Sequence, residues 1–164
     1  MIFVTVGTHE QPFNRLVKAV DMLKINSEIT ESVFIQTGYS TYVPQACEYK
    51  DFISMKQMDK YMQQASVVIT HGGPSSFVTA LQYNKVPIVV PRLSKYDEHV
   101  NDHQLTFCNE LIERNFPIKV VENTDSLIEE ISNINSSDFN KKINLNNNRF
   151  VKQFKSIVSS MFGD

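Results

Sequence analysis

The chain has only two cysteines, Cys47 and Cys108. They are too few and too far apart for a disulfide framework or a zinc cage, which points to a reducing compartment. It has no surplus of positive charge either, since Asp and Glu outnumber Lys and Arg to give a net charge of −2. That balance argues against a general affinity for nucleic acid. No apolar run approaches the ~20 residues that span a bilayer. The opening Met-Ile-Phe-Val-Thr-Val-Gly lacks a charged segment followed by a long apolar core, so no signal peptide is expected. A cytoplasmic protein is expected, with any membrane contact peripheral. Several catalytic signatures are missing as well. Without G-x-G-x-x-G and its acidic strand end, a dinucleotide-dependent dehydrogenase or epimerase is disfavoured. Without Gly-Lys-Ser/Thr, H-E-x-x-H or G-x-S-x-G, so are a P-loop enzyme, a zinc protease and a serine hydrolase.

What the chain does have is alternation. With 164 residues, 41% hydrophobic and 21% charged, it is sized and composed as one globular domain. Short β-branched runs at 2–6, 32–37, 50–55, 67–70, 86–91 and 116–121 read as strands. Between and after them, apolar residues at helical spacing predict helices near 13–23, 58–65, 77–83, 101–114 and 127–131. Strands and helices alternating at these lengths mean an α/β fold, a Rossmann-like parallel sheet with helices on both faces. Ligands in such sheets bind beyond the carboxyl ends of the strands.

The densest strand end is His71-Gly72-Gly73-Pro74-Ser75-Ser76. An apolar strand enters it and a helical pattern leaves it, and Pro74 suits the first turn of a helix, where no N–H is needed. Such a helix start carries roughly half a positive charge and suits a phosphate. A tight corner capped by Ser75 or Ser76 is the competing reading. At the first strand end, Gly7-Thr8-His9-Glu10 offers a glycine for close ligand approach and a hydroxyl for a phosphate or sugar, with helix capping by Thr8 and Glu10 as the structural alternative. A second polar cluster follows the fifth strand, from Asp97 through Glu98, Asn101 and His103 to Gln104. Its residues suit hydrogen bonding to a sugar or nucleotide at a helix start, or simply a solvated, capped helix. His99 and His103 lack the further ligands that a metal would need.

Residues 132–148 form a polar stretch, and 133–148 alone hold seven asparagines; the stretch reads as a linker. In 149–164, Phe150, Phe154, Ile157, Val158 and Met161 recur at helical spacing among basic residues. This amphipathic helix folds back on the core, docks a partner or lies on a membrane surface.

Met1 to Thr8, His71 to Ser76 and Pro91 through Gln104, in this order and spacing, resemble glycosyltransferase family 28 of the C-terminal-domain type. The likeness covers residues 1–131. It is nearest to small bacterial subunits of capsule or exopolysaccharide assembly, which resemble the catalytic subunit of the two-part N-acetylglucosaminyltransferase of eukaryotic N-glycan synthesis. The resemblance implies a single lobe of a GT-B enzyme that binds a UDP-sugar without a metal ion or other cofactor. It implies a membrane-associated partner that binds a lipid-linked sugar acceptor, placing this chain at the inner face of the membrane. The implied reaction is inverting transfer of galactose to a lipid-linked glucose, forming a β-1,4 bond.

Carried over by position, Gly7 and Thr8 match the phosphate- and sugar-facing loop. Gly72, Gly73, Ser75 and Ser76, flanked by His71 and Pro74, match the diphosphate turn. Asn101, His103 and Gln104 match the cluster that faces the donor sugar. Thr79 stands where related domains often have a ribose-binding glutamate, which leaves the ribose to Thr79, Glu98 or the backbone. His9 and Glu10 are the candidates for general base within this chain, and the partner is the other source. A non-catalytic nucleotide-binding or regulatory subunit of a glycan-assembly complex is the alternative function.

Overall fold

Six parallel strands form one sheet, in the order β3-β2-β1-β4-β5-β6. A computed structural model describes residues 1–137 and Ser156. The strands are β1 Ile2–Thr5, β2 Val33–Gln36, β3 Glu48–Lys50, β4 Val67–His71, β5 Ile88–Val90 and β6 Lys119–Val120. The helices are α1 Asn14–Ile25, α2 Met55–Gln64, α3 Pro74–Gln82, α4 His103–Glu113 and α5 Leu127–Ser137. Every residue of β1, β2, β4 and β5 is buried. Their near-continuous apolar sequences are what a parallel sheet covered on both faces requires. The edge strand β3, Glu-Tyr-Lys, is exposed throughout, and its charges discourage pairing with another chain.

Alternate residues of the central strands feed two faces. On one, Ile2, Val4, Ile69 and Ile88 pack with Leu16, Val17 and Val20 of α1 and with Leu127, Ile131 and Ile134 of α5. On the other, Phe3 and Val68 meet Met62 of α2 and Ala80 of α3, while Val89 meets Phe77 of α3 and Phe107 and Leu111 of α4. Burying each such Leu, Val or Phe contributes roughly 1.5–3 kcal/mol. Asp21 of α1 is buried too, and it holds the loop after β2. Its carboxylate accepts from Tyr42 Oη at 2.9 Å and from the backbone N–H groups of Gln45, Ala46 and Cys47 at 2.8, 2.9 and 3.0 Å. Burial pushes this carboxyl up, but those hydrogen bonds outweigh it and hold it below the ordinary carboxylate range.

Three expected boundaries shift. The third strand occupies 48–50 rather than 50–55, because Ser54 and Gln57 form a reciprocal capping box that starts α2 at Met55. Helix α4 begins at His103, after Asn101 accepts from the His103 N–H at 3.2 Å. Helix α5 runs to Ser137, six residues into the stretch read as a linker, and buried Ile134 ties that part to the core. The rest of that stretch and the 149–164 amphipathic helix lie outside the described residues, save Ser156. Among the described residues no helix is long and apolar enough to cross a membrane.

Candidate functional site

The strand order reverses between β1 and β4, since β2 and β3 lie to one side of that pair and β5 and β6 to the other. The crevice at the carboxyl end of such a switch point is where open α/β sheets bind ligands. Gly7, just past β1, has φ of +77°, which a side chain rarely tolerates. Its loop is held from below by buried polar groups. Thr5 Oγ1 donates to Gln36 Oε1 at 2.6 Å, and Gln36 Nε2 donates to the carbonyls of Gly7 at 3.0 Å and Asp51 at 2.8 Å.

Across the crevice, α3 starts with Gly73 at the N-cap and Pro74 in the first turn, and no side chain caps it. Ser75 and Ser76 therefore stand inside the first turn, not at the cap position that the alternative sequence reading gave them. An uncapped helix start keeps its partial positive charge available to a ligand. Between the Gly7 loop, α2 and α3 lies a cavity of about 260 Å³. Thr5, Gln36 and His71 line its depth, Gly7, Thr8, Ser75, Ser76 and Thr79 one side, and Phe52, Ile53, Met55, Met58 and Met62 the other. One wall is thus polar and holds the start of α3, the other apolar and polarizable. Thr79 Oγ1 donates to the Ser75 carbonyl at 2.8 Å.

His71 sits in the depth of this cavity and is 9% exposed. Burial, then the nearby Arg92 guanidinium, lowers its pKa to about 4, so the ring is neutral at physiological pH. Its Nδ1 edge faces the Thr5 backbone but forms no well-aligned hydrogen bond.

The cluster after β5 behaves differently. Buried Arg92 donates from Nη1 to the Gln11 carbonyl at 2.7 Å and the Glu98 carbonyl at 3.1 Å, and from Nη2 to the Val6 carbonyl at 2.9 Å. Its guanidinium lies 4.7 Å from the Phe13 ring centroid. Glu98 is buried and pairs with Arg15 through both oxygens, at 2.9 and 2.8 Å, while also accepting from the Leu93 N–H. It does not line the cavity that Thr79 lines, the other side chain the sequence offered for the ribose. Its oxygens are consumed in holding the loop. Gln104 Oε1 accepts from the N–H groups of Gly72 at 3.1 Å and Arg92 at 3.0 Å, stapling the ends of β4 and β5. Asn101 accepts from the His103 N–H just ahead of α4, whose N-cap is Asp102, and His103 is exposed at the first turn. None of Glu98, Asn101, His103 and Gln104 lines the cavity. Gln104 nonetheless touches the glycine turn, so the two clusters adjoin.

His9 and His99 lie beside them, with ring centroids 4.6 Å apart and the ring planes tilted by 56°. His9 Nδ1 accepts from the Gln11 N–H at 3.1 Å, so the neutral ring carries its proton on Nε2 and presents a donor. Burial, then His99 and Arg92, lower its pKa and keep it neutral. Its Nδ1 lone pair is taken by the Gln11 N–H, so general-base work through that nitrogen requires this bond to open. Glu10 is exposed and makes no hydrogen bond among the described residues. Nor do the described residues contain a group of three His, Cys, Asp or Glu placed to hold a metal ion.

Sequence reasoning placed Arg92 at a ligand-facing strand end without its clamping role, and missed Arg15, Gln36 and the methionine wall. A buried strand that runs straight into Arg92 and a strand ending in Gln36 were the available signals. Both polar groups sit where an apolar run is still expected, which marks them as internally bonded.

The glycosyltransferase family 28 C-terminal domain matches residues 1–161, well past the 1–131 stretch that carries the sequence motifs. The UDP-N-acetylglucosamine--N-acetylmuramyl-(pentapeptide) pyrophosphoryl-undecaprenol N-acetylglucosamine transferase of Bdellovibrio bacteriovorus is 30% identical over 84 residues, 51% of this chain and 22% of that protein. In fold the chain is similar to the glycosyltransferase SnogD of Streptomyces nogalater, with TM-score 0.55, 15% identity, and coverage of 99% of this chain and 39% of that one. The glycotransferase of kitacinnamycin gives TM-score 0.56, 12% identity and coverage of 98% and 39%. This chain thus spans well under half of each of these relatives. The likeness to the two solved structures speaks for the fold, a Rossmann-like lobe of the GT-B type. The sheet order, the glycine turn at the switch point and the family match together place the chain in the glycosyltransferase family 28 C-terminal domain family.

Proposed function

We propose that this chain is the donor-binding lobe of an inverting hexosyltransferase that uses a UDP-sugar. One observation carries the reading: an uncapped helix start and a positive-φ glycine loop face each other across a cavity whose remaining wall is apolar. A nucleoside diphosphate has matching parts. Its flat base packs against Phe52, Ile53 and the methionines, whose sulfur is adaptable and favourable beside π-systems. Its diphosphate meets the Ser75 and Ser76 hydroxyls and the α3 dipole. The sugar then projects toward the adjoining shelf of His9, His99, Asn101 and Gln104.

In the reaction, an acceptor hydroxyl oxygen bonds to the anomeric carbon as the bond to the diphosphate oxygen breaks. The electron pair leaves on UDP, where the α3 start stabilises it, and the configuration inverts. The acceptor proton goes to Glu10 or to a group on the acceptor-binding partner, because His9 already uses its lone pair. The helix start carries the electrostatic role, so activity in EDTA is expected. Galactose as donor, a lipid-linked glucose as acceptor, the β-1,4 bond and a role in capsule or exopolysaccharide synthesis rest on the family resemblance. The Bdellovibrio relative, whose name gives a sugar transferred to a pyrophosphoryl-undecaprenol carrier, supports the general class. In this reading a membrane-associated subunit supplies the acceptor site and brings the chain to the inner membrane face.

The test is to incubate the chain, alone and with that subunit, with radiolabelled UDP-galactose and membranes carrying lipid-linked glucose. Labelled glycolipid only with both chains supports the split enzyme. None under either condition removes the transferase reading. A nucleotide-holding subunit without chemistry then gains weight from the spent lone pair of His9 and from a cavity lined without a carboxylate among the described residues.

A further inference from the structure

Gly73 is a glycine without a backbone reason. Its φ of −74° and ψ of 129° suit any residue. What excludes a side chain there is the ring of His71. A Cβ on Gly73 would meet His71 Nε2 inside contact distance, Cδ2 at 2.9 Å and Cε1 at 3.1 Å. The same imidazole bars Gly7 from the other side, where an added Cβ would lie 2.5 Å from Cε1 and 2.7 Å from Nε2. Gly7 needs glycine for its φ as well, but Gly73 needs it for His71 alone. One ring therefore fills the space between a loop that follows β1 and a turn that follows β4, and both of these face the cavity.

We propose that His71 is the positioning residue of the diphosphate cradle, a rigid spacer that sets the gap between the Gly7–Thr8 loop and the Gly73–Ser76 turn. The proposal rests on the donor-site reading above. A planar ring suits the task because it has few rotamers to lose and its thickness is fixed. Kept neutral by burial, it adds no cation that a metal-like role would need, and the phosphate charge falls to the α3 start. His71 and Gly73 then form one coupled unit, and the coupling has a sign. A methyl at position 73 collides with the ring, whereas a methyl there with the ring removed falls into vacated space.

The experiment compares the wild-type chain with Gly73→Ala, His71→Ala and the double variant. UDP and uridine affinities are measured by NMR titration, and folding by circular dichroism and thermal unfolding. Gly73→Ala should weaken UDP by about tenfold, His71→Ala should weaken it as well, and the double variant should recover much of the Gly73→Ala loss, as coupled neighbours do. Uridine, which has no diphosphate, should bind all four alike. Losses that simply add in the double variant overturn the proposal. So does a parallel loss of uridine binding, or recovery seen in thermal stability but not in UDP affinity, because either makes His71 a structural filler only. Wild-type protein that binds no UDP is a different result, and it removes the donor-site reading itself.

Discussion

Two polar clusters meet at the carboxyl edge of the sheet, and they use their polar atoms in opposite ways. On the β1–β2–β4 side, Thr8, Ser75 and Ser76 line an open cavity and the α3 start is uncapped. On the β4–β5 side, Arg92, Glu98, Asp102 and Gln104 are bonded to one another's loops. Glu98 takes a two-pronged grip from Arg15, and Asp102 accepts from Ser94 N at 2.7 Å and Ser94 Oγ at 3.0 Å. The first region leaves hydroxyls facing an open cavity, and the second spends its polar groups on holding loops together. Residue type alone does not separate the two, since both are rich in hydroxyls, amides and histidines.

The largest effect should come from breaking the clamp. Arg92→Met removes a buried cation that satisfies the carbonyls of Val6, Gln11 and Glu98, and a cost of about 3–5 kcal/mol is expected in urea unfolding. Unchanged stability with lost UDP binding would mean that the β5 side is a ligand site after all.

Next comes acid. His71 has its folded-state pKa lowered from 6.5 to about 4, chiefly by burial. Between those values the unfolded chain holds a proton that the folded chain does not. Stability from this group is therefore complete above pH 6.5 and falls as pH drops toward 4, by roughly 3 kcal/mol. The slope of unfolding free energy over that window should flatten in His71→Asn. An identical slope in the variant would mean that the ring titrates normally and is not buried in the depth of the cavity.

The open side should respond in affinity rather than in stability. Ser75→Ala with Ser76→Ala should lower UDP affinity about tenfold or more, through two lost hydrogen bonds to a charged group, with stability changed by less than about 0.5 kcal/mol. Calorimetry that shows unchanged affinity would make the glycine turn a plain corner.

The sequence made the scaffold legible because buried parallel strands and amphipathic helices leave strong periodic signals. It also marked Gly7 and the His71–Ser76 turn, where Gly and Pro punctuate a strand-to-helix junction. It left the internal bonds of Glu98 and Gln104 unread, because whether a carboxylate or amide is spent internally depends on partners far along the chain. Arg15 lies 83 positions from Glu98 and Gly72 lies 32 from Gln104. The third strand moved for a local reason, a capping box between Ser54 and Gln57 that outcompetes extension of the strand. The methionine wall went unread because Met55 and Met58 look like ordinary helix residues until β3 places their helix beside the cavity.

The smallest effect is the most diagnostic of what the open side recognises. A ribose diol is commonly held by a carboxylate. The cavity is lined by none among the described residues, and the Thr79 hydroxyl is directed to the Ser75 carbonyl. The wild-type chain should therefore separate UDP from 2′-deoxy-UDP only weakly. Thr79→Glu puts a carboxylate on the cavity wall one helical turn beyond Ser75, within reach of a sugar stacked below the base. It should bind UDP about fivefold to tenfold better than the deoxy analogue, the worth of one ordinary hydrogen bond of about 1 kcal/mol at an open site. Strong discrimination by the wild-type chain would show that ribose is already held by another group, and the division of labour between the two clusters would have to be redrawn.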